Sequence, residues 1–243
     1  MRYLVACALL LLAACASAPP GIDALLPADA LLLGEQHDAP AHQQQHRATV
    51  EALLGRKQLA ALLLEMAEQG TTTAGLPPSA DEASVRAALR WNEQAWPWQA
   101  YGPAVMAAVR GSVPVLGANL PRPQMRAAMA DPQLDGLLGG AALKAQQQAI
   151  RQGHCGLLPE SQIGPMTRIQ IARDRAMAQS VVSAARPGST VLLLAGGGHV
   201  DEALGVPQHL PAGLRARSLR WPAQPPQQDY CAELQKQMPP RTP

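Results

Sequence analysis

An α/β domain, with a mostly parallel central sheet flanked by helices, is the fold this chain predicts, and three observations predict it. Short aliphatic runs at residues 30–33, 59–64, 113–118 and 190–195 alternate with longer helical stretches, which is the spacing of βαβ units. The runs do not alternate apolar with polar, so each reads as a strand covered on both faces. All four are followed by polar residues, Glu35 and His37, Glu65, Asn119 and His199, at the carboxyl edge where such sheets bind ligands.

Taken in order, the first strand runs into Gly34-Glu35-Gln36-His37. A helix over 42–55 follows, with Val50, Leu53 and Leu54 at helical spacing and Gly55 as its stop. The second strand, 59–64, ends at Glu65-Met66. A polar loop at 71–78 leads to Asp81 and Ser84, helix-start chemistry for a helix over 82–91. Trp91, Trp96, Trp98 and Tyr101 crowd a segment interrupted by Pro97, before a helix over 103–111. The third strand, 113–118, carries Pro114, which has no amide to donate and belongs at the strand's start. Pro121 and Pro123 open the next helix; 131–140 reads as a loop, 141–152 as a helix and 153–156 as a loop. The longest helix, 165–185, repeats Met166, Ile169, Gln170, Arg173, Asp174 and Met177 along one side. The fourth strand ends in Gly196-Gly197-Gly198-His199, and a last strand spans 214–221. Beyond it lies a tail rich in Pro and Gln that only Cys231 offers to fasten.

Met1-Arg2 before an apolar run at 3–12 has the form of a secretory signal, too short to span a membrane. The run ends in Leu12-Ala13-Ala14-Cys15, which resembles a bacterial lipobox. That resemblance implies cleavage before Cys15, a lipid such as palmitate on its thiol, and, with Ala16 and Ser17 following, anchorage at the outer membrane of a bacterial envelope. An ordinary signal peptide cut nearby is the alternative. The chain then divides into a signal at 1–14, lipidated cysteine and tether at 15–28, a single domain at 29–221 and the tail at 222–243. Of the four cysteines, Cys155 and Cys231 remain once Cys7 and Cys15 are so assigned. In an oxidising compartment they form one disulfide or stay as two independent thiols. The net charge is +2 and no stripe of Lys and Arg is present, which argues against nucleic acid as a partner.

Two GxxH turns bring His37 and His199 to the same edge as Glu65, the donor set of an open Zn, Mn or Fe centre. Glu35 would orient a ligand or act as general base, and His42 is a further ligand candidate. A single GxxH is equally the signature of a tight turn at a helix start. No GxSxG elbow exists, which disfavours a serine hydrolase.

Several motifs together then carry a family resemblance. They are Gly34 to Asp38 with His42, Leu64-Glu65-Met66, the aromatic region 91–101, Ala118 to Arg122, His154-Cys155, the set Gln170, Arg173, Asp174, Met177 and Ala178, and Gly196 to Val200 with Gly205-Val206-Pro207. With them the chain resembles the ChaN-type haem-binding lipoproteins across nearly the whole mature domain. The resemblance implies haem as cofactor, iron-regulated haem uptake, a lipid anchor and a homodimer holding haems face to face. Ala39 departs from the family's asparagine. ChaN-type proteins are similar in turn to Tiki-type metalloproteases and erythromycin esterases, a relation that falls here on Gly34, His37, Glu65, Gly196 and His199. The same edge therefore has an alternative reading as a metal-dependent hydrolase using Glu35, His37, Glu65 and His199. For haem, the axial candidates are Tyr101, beside three tryptophans, and His154. Their plainer readings are an aromatic cluster and an exposed loop histidine. Asn119, Gln170, Arg173 and Asp174 would support the edge. Met166 and Met177 read as core filler, and His46 as a solvated helix residue.

Overall fold

The computed structural model describes residues 21–237, so Cys15 and the expected signal lie outside the described residues. Among the described residues there are five strands, β1 (Ala30–Glu35), β2 (Leu59–Glu68), β3 (Val115–Asn119), β4 (Thr190–Gly196) and β5 (Ala216–Arg220). They form one sheet in the order β3-β2-β4-β1-β5, with every pairing parallel. The helices are α1 (Ile22–Leu25), α2 (Pro40–Gly55), α3 (Glu82–Ala88), α4 (Trp98–Arg110), α5 (Arg122–Ala130), α6 (Gly140–Gly153), α7 (Glu160–Ala184) and α8 (Tyr230–Gln237). This is the predicted α/β class, its helices flanking a parallel sheet.

The unbroken leucine runs are explained by cover on both faces. Leu31, Leu33, Leu62, Leu64, Leu192 and Leu194 pack toward Val50 and Leu53 of α2 and Tyr101 and Val105 of α4. Their neighbours Leu32, Leu63, Val191 and Leu193 turn the other way, onto Met177, Ala178 and Val181 of α7. Each such burial contributes roughly 1.5–3 kcal/mol relative to exposure, so the central strands anchor whatever their ends carry. A third cluster joins Leu120 and Ala128 to Ile171, Ala172 and Ala176, seating α5 on α7.

Helices α4 and α7 begin five residues before the prolines expected to open them. Pro103 and Pro165 each sit inside the helix, where a proline forfeits one backbone rung. Pro97 and Pro159 stand at the N-cap positions instead. The tail carries a helix the composition did not announce: α8, with no buried residue, is tied to the domain by a disulfide from Cys231 to Cys155, their Cα atoms 5.7 Å apart. No described helix is long and apolar enough to cross a membrane.

Candidate functional site

At the carboxyl edge the strand ends converge as their polar residues suggested. Glu35 closes β1 and is 4% exposed; Glu65 lies in β2 and is 2% exposed. Glycine is required beside both. A Cβ on Gly34 would stand 2.3 Å from Val200 Cγ2, and one on Gly196 would stand 2.8 Å from His37 Nε2. The glycines thus let the turn after β4 and the His37 ring close over the strand ends.

His37 lies with its Nδ1 2.7 Å from Glu35 Oε1. A carboxylate only accepts, so Nδ1 carries the hydrogen and Nε2 keeps its lone pair in the neutral ring. Nε2 is 3.9 Å from Glu65 Oε2, beyond hydrogen-bond range. Burial opposes a charge on this ring, but the Glu35 hydrogen bond and the Glu65 and Glu35 carboxylates together hold its pKa above the ordinary imidazole value. Tyr101, 1% exposed, donates its hydroxyl to the same Glu35 oxygen at 2.6 Å. Burial and the Glu35 charge push its pKa far up, so it stays a phenol.

The second half of the edge is a buried charge network. Arg173 Nη2 donates to Glu65 Oε1 at 2.6 Å, and the Gly196 amide donates to Glu65 Oε2 at 2.6 Å. Asn119 accepts from Arg173 Nε at 2.9 Å and donates to the Glu65 carbonyl at 2.8 Å. His199 donates Nδ1–H to Asp174 Oδ1 at 2.5 Å and turns Nε2 toward Glu65 Oε1 at 3.4 Å. Burial disfavours its charge, but the Glu65 and Asp174 carboxylates outweigh that and raise its pKa to about 9. Glu65 itself is driven well below the usual carboxylate range: burial works against this, and the His199 and Arg173 cations overcome it. Gln170 brings its side-chain nitrogen 3.1 Å from His199 Nδ1.

The structure therefore brings together Glu35, His37, Tyr101, Glu65, Asn119, Gln170, Arg173, Asp174 and His199. It does not bring His42 or His154 with them. His42 Nδ1 accepts the Gln36 amide at 2.9 Å and its Nε2 lies 3.0 Å from the Pro222 carbonyl, so both ring nitrogens are used. His154 caps α6 with Nδ1 2.8 Å from the Ile150 carbonyl. His46, expected to be solvated, is 1% exposed; its ring lies 3.4 Å from Glu35 Oε2, and burial lowers its pKa to about 4.

The donor set does not suit a metal ion in this arrangement. Glu65 already accepts from Arg173 and Gly196, and His199 is spanned by Asp174 and Glu65. Among the described residues no three His, Cys, Asp or Glu side chains are grouped to hold a metal. A divalent ion would have to displace the guanidinium from its carboxylate.

A slot of about 760 Å³ opens over His37, lined by Trp96, Pro97, Ala100, Tyr101, Pro226 and Tyr230 among others. The imidazole meets the edge of Trp96 at a centroid distance of 4.8 Å. A smaller cleft of about 350 Å³ lies on the other side of Trp96 and holds Glu65, Asn119, Arg122 and Arg173. Its partition, Trp96, was legible only as one of several aromatics. The roles of Gln36, Asp38 and Tyr230 were missed, because their partners are 188 and 192 residues away: Gln36 Oε1 accepts the Gln224 amide at 3.0 Å, and Asp38 Oδ2 accepts from the Tyr230 hydroxyl at 3.0 Å.

A family model described as haem-binding uptake, Tiki superfamily, ChaN, matches residues 22–210. Among solved structures, the chain is similar to that of ChaN of Campylobacter jejuni, described as showing cofacial heme binding. The identity is 25% and the TM-score 0.69, over 82% of this chain and 83% of that one. No curated protein matches the chain.

Proposed function

We propose, from the premise that this chain belongs to the ChaN family of haem-binding uptake proteins in the Tiki superfamily, that it binds haem in the apolar slot at the carboxyl edge of its sheet. The single observation that carries this reading is the slot itself. Its size suits a flat apolar cofactor, its walls are Trp96, Pro97, Ala100 and Tyr101, and an imidazole whose Nδ1–H is fixed by a carboxylate stands in it. A histidine so oriented is the usual form of an iron ligand. The similar Campylobacter jejuni protein is described as binding haem.

His37 would hold the iron through Nε2, with Glu35 orienting the ring and raising its basicity. Tyr101, offered by the sequence as an axial ligand, instead gives its hydrogen to Glu35 and supplies its ring to the slot. Bound haem supplies an iron atom and a large aromatic plane; the chain supplies burial, orientation and a place for the propionates to reach water. Haemin titrated into the protein is expected to give a saturable Soret shift, weakened on the order of tenfold or more by His37→Ala and by Trp96→Ala. No shift in the wild-type protein would end the haem reading; an unchanged affinity in His37→Ala would move the ligand elsewhere.

The setting we propose is an iron-acquisition lipoprotein held at the outer membrane through Cys15, with two copies meeting over their haems. The lipobox-like sequence before Cys15 supports the anchor, and the cofacial haems of the similar structure support the pairing. Cells fed labelled palmitate should label the wild-type chain and not Cys15→Ala; label on both, or on neither, sinks the anchor. The same haemin titration followed by sedimentation should yield a two-copy species.

A further inference from the structure

The segment 222–237 lies beyond the residues matched by the family model, yet it supplies one wall of the slot through Gln224, Pro226, Gln227 and Tyr230. It has almost no core of its own: α8 buries no residue. Polar bonds hold it, and they go to the turn that carries His37 and to the first turn of α2. The Pro222 carbonyl lies 3.0 Å from His42 Nε2, the Gln224 amide donates to Gln36 Oε1 at 3.0 Å, and the Gln227 amide donates to Asp38 Oδ2 at 2.8 Å. Tyr230 donates its hydroxyl to that same Asp38 oxygen at 3.0 Å. Gln36 and Asp38 thus grip the strap while His37, between them, faces the slot. One covalent bond completes the fastening, Cys155 to Cys231, across 76 residues. Cys231 is exposed and Cys155 half-buried, so the bridge can be reached from solvent.

We propose that this strap is a disulfide-fastened clasp over the slot, and that reducing Cys155–Cys231 speeds release of the bound tetrapyrrole. The proposal rests on the haem reading above. Hydrogen bonds at or near the surface between a strap and a turn exchange with water, whereas a covalent tether keeps the wall at high local concentration after each opening. Reduction adds two electrons and two protons and leaves two thiols. With a dithiol as reductant these come from its own S–H groups, which end as a disulfide.

The test uses the full chain loaded with haemin. Half is reduced with a water-soluble phosphine, which ends as its oxide, and both new thiols are capped with iodoacetamide so that neither can ligate iron. Mass spectrometry verifies the capping, and transfer of haemin to excess apomyoglobin is followed by absorbance. Release is expected to be on the order of tenfold faster from the reduced half, with unchanged far-ultraviolet circular dichroism. Tyr230→Ala with the disulfide intact should fall between the two, which keeps the test informative if alkylation perturbs the strap. Equal release rates from oxidised and reduced protein overturn the clasp and leave the haem reading standing. Wild-type protein that gives no Soret shift overturns both.

Discussion

Glu65 is the residue on which the edge turns, because its two oxygens receive Arg173, the Gly196 amide and the approach of His199. A carboxylate 2% exposed persists only when such partners compensate its lost hydration. Arg173→Met is therefore expected to destabilise the protein by about 3–5 kcal/mol, read from urea denaturation, since it strands a buried charge. A loss under about 1 kcal/mol would mean that Arg173 behaves as a surface partner. Much of this site was legible residue by residue: Glu35, His37, Glu65, Asn119 and His199 all lie at or near the carboxyl ends of buried aliphatic runs, where apolar packing alone gives no reason for a polar side chain. His42, His46 and Tyr101 were harder to read. Which nitrogen or hydroxyl is spent on Pro222 or Glu35 depends on partners brought in by the fold, and spacing along the chain does not encode them.

The strands were the easiest elements to read, since a run buried on both faces is apolar along its whole length. Their extents were less so: β2 continues to Glu68, which pairs with Asn119 beyond a register shift after Leu64, and a bulge of this kind leaves no mark in the hydrophobic pattern. The proline-bearing helices were read short because a proline announces a helix start more often than a sixth position. Helix α8 was missed for a different reason. It buries no residue that would mark it, and the polar bonds that hold it are joined by a cross-link that removes freedom from the unfolded chain, roughly 4–5 kcal/mol for a loop of this length on the chain-entropy account. Composition described that segment as a tail, whereas its bonds make it a wall.

For the molecule as a whole, two buried histidines give stability opposite dependences on pH. His46 is neutral in the fold with its pKa lowered from 6.5 to about 4. Its contribution is complete above pH 6.5 and is lost as pH falls through 4, because the unfolded chain takes up the proton first. His199, raised to about 9, works in the other sense. Its contribution is complete below pH 6.5 and is lost as pH rises through 9. Urea midpoints should therefore peak near pH 6.5 and fall on both sides. A midpoint still rising from pH 6.5 to 9 would refute the charged state of His199, and His199→Asn should flatten the alkaline limb.

The pairing of β1 with β4 sets Ala30 beside Val191 and Glu35 beside Gly196. These neighbours are among the first and the last structured parts of the domain to leave the ribosome. The carboxyl edge they share cannot be completed on a nascent chain until β4 has emerged, however well the earlier helices have formed. Closure over so long a sequence separation is intrinsically slow, and until it happens Glu35 and Glu65 have no finished edge to hold. The polar edge is thus a late product of folding, and a chain stalled before Gly196 would display strand edges and aliphatic faces that the finished sheet covers.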